Sequence, residues 1–135
     1  MKMYTKSPVI VMELPEKLTY TEGQTLMVEL QPLLEADRPR IVLDCSKVEH
    51  MDSAGIEILL RCMEEAMKRD GDLKLAAVSP MSAAIMELMR VDRLFEVFDT
   101  SDEAARSFQA VAVPETQQDL PWYSTAYGLT NLKSA

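Results

Sequence analysis

Glycine is scarce in this chain, at 4 of 135 residues. A phosphate cradle built on a Gly-rich loop is therefore missing, and neither G-x-x-x-x-G-K nor G-x-G-x-x-G occurs. Histidine appears once, as His50, and cysteine twice, as Cys45 and Cys62. These do not form the spacing of a zinc site, so no metal and no other cofactor is expected. Charges break every apolar run well short of the roughly 18 residues that a membrane span needs. Basic charge is also short: 14 Lys and Arg stand against 22 Asp and Glu, a net charge of -8. No Lys/Arg cluster offers the stripe a nucleic-acid binder shows, so direct nucleic-acid binding is not expected. The same acidity argues against docking on anionic lipid and mildly favours a basic partner surface. Met1-Lys2-Met3-Tyr4-Thr5-Lys6 lacks the apolar stretch of a signal peptide, so a reducing cytoplasm with free thiols is the expected setting.

What is present is an alternation of apolar runs and helical stripes. Pro8 to Leu14 is a continuous β-branched run that reads as a buried strand, paired with Met3–Thr5 before it. Thr21-x-x-Gln24 resembles a capping box, and Leu26, Leu30, Leu33 and Leu34 follow at helical spacing, with Pro32 expected to kink or restart the last turn. Ile41 to Cys45 reads as a second strand. Ile56, Leu59, Leu60, Met63, Ala66 and Met67 then share one helical face, opposite Glu57, Arg61, Glu64, Glu65, Lys68 and Arg69. Gly71 suits a left-handed helix stop. Leu73–Val78 is a third strand and Ser79-Pro80 a helix start, with Met81, Ile85, Leu88 and Met89 as its stripe. Leu94–Phe98 reads as a short strand, and Thr100-x-x-Glu103 as the cap of a last helix. This order predicts an α/β domain whose mixed, mostly parallel sheet of four to five strands packs against helices. Residues 1–110 form that domain. Residues 111–135, with Trp122, Tyr123 and Tyr127, read as a tail: either a strap that packs its aromatics or a segment for partner binding or self-association, a homodimer included.

Catalysis is poorly supported. His50 and Ser53 lie three residues apart, but Asp52 precedes the serine, so the nucleophile elbow G-x-S-x-G is absent. The distinctive stretch is Met51-Asp52-Ser53-Ala54-Gly55, between a strand and the longest amphipathic helix. Ser53 falls where an N-cap is expected, and its hydroxyl suits a bond from a first-turn N–H. A capping serine is one reading. The other is a phosphoacceptor, because a phosphate gains from the positive helix end and adds about −1.5 to −2 charges beside Asp52 and Glu57.

Ile41 through Ile56 resembles the signature of STAS domains, and more narrowly the stand-alone anti-sigma factor antagonists of bacteria: an apolar strand ending in Asp, a turn, and an Asp-Ser pair with a nearby glycine opening a helix. The similarity runs on through Gly71–Leu75, Ser79-Pro80, Val91–Phe98 and Ser101–Ala105. It implies a small α/β fold and a regulatory binding module, not an enzyme. The unmodified protein would bind an anti-sigma factor that is also a serine kinase and so free a sigma factor; phosphorylation of the motif serine would break the complex and a phosphatase would reset it. By position, Ser53 would be the phosphoacceptor, supported by Asp52 and Asp44. Met51, Ala54, Gly55, Ile56 and Glu57 would face the partner. The position after the acceptor is often a second serine in the family and is Ala54 here. The competing implication is a structural or scaffolding module in a signalling assembly or lipid-transport complex, with Ser53 only a cap.

Overall fold

The computed structural model describes residues 2–6 and 8–111. A short strand β1 (Met3–Lys6) turns back along β2 (Val9–Glu13). β3 (Lys17–Leu18) leads into helix α1 (Tyr20–Leu34), followed by β4 (Arg40–Asp44), β5 (His50–Met51) and helix α2 (Ser53–Met67). β6 (Asp72–Ala76), α3 (Pro80–Leu88), β7 (Val97–Phe98) and α4 (Ser101–Val111) complete the order. Five strands form the main sheet in the order β1-β2-β4-β6-β7. β1 is antiparallel to β2, and the other three pairings are parallel. The expected α/β architecture is therefore the observed one. β3 and β5 form a separate two-stranded parallel sheet that no sequence pattern announced. The described residues up to Ala105 form one compact unit; Arg106 onward belongs to a second, of which only the end of α4 is described. The tail read at 111–135 lies outside the described residues from 112 on.

Alternation along the strands sorts the core. Met12, Leu43 and Leu75 lie in one register row and Ile41 and Leu73 in the next, all buried with Leu26, Leu30 and Leu34 of α1 and Ile56, Leu59, Cys62 and Ala66 of α2. The opposite face carries Val11, Val42 and Lys74. Lys74 is only 4% exposed; its ammonium reaches Glu96 at 3.2 Å and lies 5.6 Å from the Phe98 ring centroid. Charge placed in such a site is tolerable because it is paired. Both cysteines are buried, and burial pushes each thiol up to about 12.

Several local readings shift by a residue or two. The first helix starts earlier than the Thr21–Gln24 pattern suggested: Thr19 is its N-cap, and the Glu22 carboxylate accepts from both the Thr19 N–H and the Thr19 hydroxyl. These bonds hold the Glu22 carboxyl below its ordinary value. Pro32 sits within the last turn of α1, which stops at Leu34. On α2, Ile58 and Cys62 are buried while Met67 is exposed, because α1 covers one flank of the helix and widens the buried stripe. On α3 half of the expected stripe holds, since Ile85 and Met89 pack partly buried against the core. Ser82 and Met86 are buried, and Met81 and Leu88 are exposed. This helix is apolar nearly all round, so its period could not select a face. β7 is only two residues long, and Leu94 is exposed. The Ser79-Pro80 start is as expected, with the Ser79 hydroxyl accepting from the Ser82 N–H at 3.1 Å. So is the acceptor role of Thr100, which takes the Glu103 N–H at 3.1 Å.

The stop after α2 is another correction. Asp70, not Gly71, takes the left-handed conformation, at φ 61. The Gly71 N–H returns to the Ala66 carbonyl and the Asp70 N–H to that of Met67, the bond pair of a Schellman stop. Gly71 is needed for space: a Cβ there would lie 2.0 Å from the Pro39 carbonyl oxygen. Asp70→Gly should therefore raise stability by up to about 1 kcal/mol, by relieving a left-handed L-residue. Gly71→Ala should lower it by about 1–3 kcal/mol. Urea denaturation of the two variants checks the opposite signs. The thiols give a second check: Cys45 and Cys62 should resist a disulfide-exchange reagent at neutral pH in the folded protein and react once urea unfolds it.

Candidate functional site

The segment leading to Ser53 is held by backbone bonds. The Asp44 carboxylate at the end of β4 accepts from the Ser46 N–H at 2.9 Å, and the turn closes with the Val48 N–H on the Cys45 carbonyl. The N–H groups of Glu49 and His50 both donate to the Glu16 carbonyl, at 2.7 and 3.1 Å. β5 then runs beside β3, pairing His50 with Lys17 and Met51 with Leu18. The Asp52 N–H points at the Leu18 carbonyl, 3.5 Å away. Two residues of strand are too few to bury much, but here they set where the next helix begins.

Asp52 is the cap of that helix. Its backbone is extended, and its carboxylate accepts from the Gly55 N–H at 2.9 Å. The Ile56 N–H closes the first turn on the Asp52 carbonyl. Gly55 packs on β3: a Cβ at this position would fall 2.0 Å from the Leu18 carbonyl oxygen and 2.9 Å from its carbon. Each letter of D-S-x-G thus acquires a cause. The aspartate caps, the glycine admits a neighbouring backbone, and the serine is left over.

Ser53 was expected at the cap and stands one residue later, as the first helical residue, exposed. The sequence offers two capping residues side by side; β3 decides between them by pairing through Met51 and placing Asp52 at the extended position. Among the described residues, the Ser53 hydroxyl makes no hydrogen bond. It lies at the positive end of α2, with Glu57 exposed one turn along and Ala54 half-buried.

The other expected site residues divide. Met51 is 7% exposed, and Gly55 and Ile56 are buried, so their side-chain positions face the core. Met51 points inward because the alternation that exposes His50 on β5 must bury its neighbour. Asp44 belongs to a different place: it lines an open hollow with Tyr4, Ser46, Ala77, Asp99 and Thr100 at the carboxyl ends of β4, β6 and β7, and Ser53 is not among the residues around it. His50 is exposed and paired with Lys17 in register, not joined to a serine. No group of three or more His, Cys, Asp or Glu among the described residues is placed to hold a metal ion. No helix among them is long and apolar enough to cross a membrane.

Sequence reading missed Leu18 and Gly23. Gly23 sits in the first turns of α1, where a Cβ would come 2.9 Å from Cγ1 of Ile58. The only signal was the rarity of glycine itself, since a glycine inside a helix weakens it unless close packing requires it.

These contacts rank three substitutions. Asp52→Ala should cost about 0.5–2 kcal/mol through the lost cap. Gly55→Ala should cost more, because the β3 backbone would have to move. Ser53→Ala should stay within about 0.5 kcal/mol, as an exposed change away from such features. Thermal or urea unfolding of the three variants tests the order; a Ser53→Ala loss as large as that of Asp52→Ala would return the capping role to the serine.

Comparison with known proteins agrees with this architecture. A family model described as the STAS domain matches residues 1–104. BtrV of Bordetella bronchiseptica, a candidate anti-sigma factor antagonist, is 24% identical over 87 residues, which cover 64% of this chain and 75% of that protein. Among solved structures, an anti-sigma-factor antagonist (STAS) domain protein from Planctomyces limnophilus superposes with a TM-score of 0.72 at 22% identity, covering 80% of this chain and 97% of the other. The anti-sigma factor antagonist SpoIIAA, solved in its unphosphorylated form, gives 0.69 at 16% identity over 81% and 96%. The Bacillus SpoIIAA has also been solved in a phosphorylated form, which superposes at 0.62 and 16% identity over 79% of this chain and 97% of the other. At these identities the structural likeness speaks for the fold, and the match over residues 1–104 speaks for descent: the chain belongs to the STAS domain family.

Proposed function

We propose that this protein is an anti-sigma factor antagonist controlled at Ser53. With Ser53 unmodified, the surface around the start of α2 binds an anti-sigma factor that is also a serine kinase, and a sigma factor is released. The kinase transfers the γ-phosphoryl group of ATP to the Ser53 oxygen, which gives up its proton; ADP leaves and the complex separates. A phosphatase restores the serine. The protein acts as a binding module and not as an enzyme.

One observation carries the reading: Ser53 is exposed at the first residue of α2 while Asp52 does the capping. A serine with no structural task is free to be modified. This also weighs against the scaffolding alternative, which needed Ser53 to be the cap. The expected effect of phosphate follows from its charge. It adds about −1.5 to −2 at pH 7, beside Asp52 and Glu57, and the positive helix end tolerates it. The fold stays intact while a complementary partner surface meets a changed charge. With Met51, Gly55 and Ile56 buried, the proposed contact set contracts to Asp52, Ser53, Ala54 and Glu57. The same switch in a relative is consistent with SpoIIAA having been solved in both phosphorylation states.

The test uses the full chain and the purified anti-sigma factor kinase. With ATP, wild type should gain one phosphate by mass spectrometry and Ser53→Ala none. By calorimetry Ser53→Ala should bind as wild type does, and Ser53→Asp at least 10-fold more weakly, a difference of about 1.4 kcal/mol or more. Wild-type affinity in Ser53→Asp would sink the switch.

A further inference from the structure

The outer side of α3 is unlike that of a helix that meets only water. Its core side holds Ser82 and Met86, both buried, while Met81 is 67% and Leu88 83% exposed. At about 100° per residue, Met81, Ala84 and Leu88 fall within about 60° of one another, on the far side of the helix from Ser82 and Met86. Ala83 and Ala84 are exposed as well. Glu87 is the only charged residue from Pro80 to Leu88. Single exposed apolar residues such as Val28 are ordinary on a protein surface. A row of them along one helix, above a buried serine, marks a surface that something covers.

We infer that a second copy of this chain covers it: two α3 helices pack antiparallel about a twofold axis at Ala84 and form a weak symmetric dimer. The row is self-complementary. Met81 lies three residues before Ala84 and Leu88 four after it, so about the axis each Met81 meets the Leu88 of the other copy. The small Ala84 side chains at the crossing let the two helices approach closely. Charge favours the same arrangement. Glu87 stands in the last turn of α3, where an acid opposes the helix dipole, and α3 has no acid in its first turn and no base in its last. In the antiparallel pair Glu87 comes beside the start of the other α3, where a negative charge is stabilising. Arg90 and Arg93 follow the helix and share a hollow with Glu87 and Asp92, so this end adds no net charge to the contact. Two copies that each carry a net charge of -8 repel, and a face this poor in charge is where that repulsion is least. A contact between helices of 9 residues lies at the low end of interface areas, so the dimer forms only at high concentration. None of its residues belongs to the contact set proposed for the anti-sigma factor, and the inference does not rest on the Ser53 switch.

Sedimentation equilibrium of the full chain from micromolar to millimolar concentration tests this. Wild type should pass from monomer to dimer over that range. Met81→Glu and Leu88→Glu should each weaken the dimer about 10-fold or more, with circular dichroism unchanged. Val28→Glu, on α1 and 73% exposed, should leave it as it is. Ala84→Cys should join copy to copy by a disulfide under mild oxidation, because the axis brings the two positions together, and Val28→Cys should not. The native thiols are buried and give no background. A wild-type chain that stays monomeric to millimolar concentration overturns the inference, whatever else covers the face. So does a dimer that survives Leu88→Glu, as one built on the C-terminal tail would. So does crosslinking at position 28 as efficient as at position 84.

Discussion

The Leu18 carbonyl oxygen fixes the working end of this molecule. It faces the Asp52 N–H and lies where a side chain on Gly55 would have to be. That contact lets the first turn of α2 rest directly on β3, and the rest follows from it. Asp52 is drawn to the extended cap position, its carboxylate closes on the Gly55 N–H, and Ser53 is pushed out to the first helical residue. Because Leu18 also precedes the cap of α1, the same contact brings the second helix start alongside. A single missing Cβ thus decides which of two adjacent polar residues is structural and which is exposed.

Electrostatics supports the switch proposed at the exposed serine. The chain is acidic overall, yet the start of a helix is locally positive, so a phosphate there is favoured by the backbone while it changes the surface that a partner meets. The acidic groups nearby have separate tasks. Glu22 and Asp52 are bound into caps, and Glu57 faces solvent. The buried charge lies on another face of the sheet, where Lys74 is matched by Glu96 and the Phe98 ring. The core can therefore stay fixed under the charge change proposed at Ser53.

The strands and helices were largely legible because their patterns are long and regular. The apolar runs of β2, β4 and β6 bury both faces, and the Ser79-Pro80 start carries a cap and a fixed φ together. Legibility failed where a pattern was short or degenerate. β3 and β5 hold two residues each, below any period. α3 is apolar nearly all round, so by pattern Met81 and Leu88 are as fit for the core as Met86. At Asp70-Gly71 the residue best suited to a left-handed turn was instead the one pressed against Pro39, and the aspartate took the turn.

The candidate site divides along the same line. The sequence by itself determined the α/β order, the Asp-Ser pair at a helix start and the family likeness, because these are local: residue type, spacing and charge act within a few positions. Only the tertiary structure decided that Asp52 and not Ser53 is the cap, that Met51, Gly55 and Ile56 are buried, and that Asp44 belongs to a separate hollow. The reason is that these outcomes turn on a contact between backbones far apart in the chain, where the missing Cβ of Gly55 meets the Leu18 carbonyl; no local pattern records which neighbour a glycine makes room for.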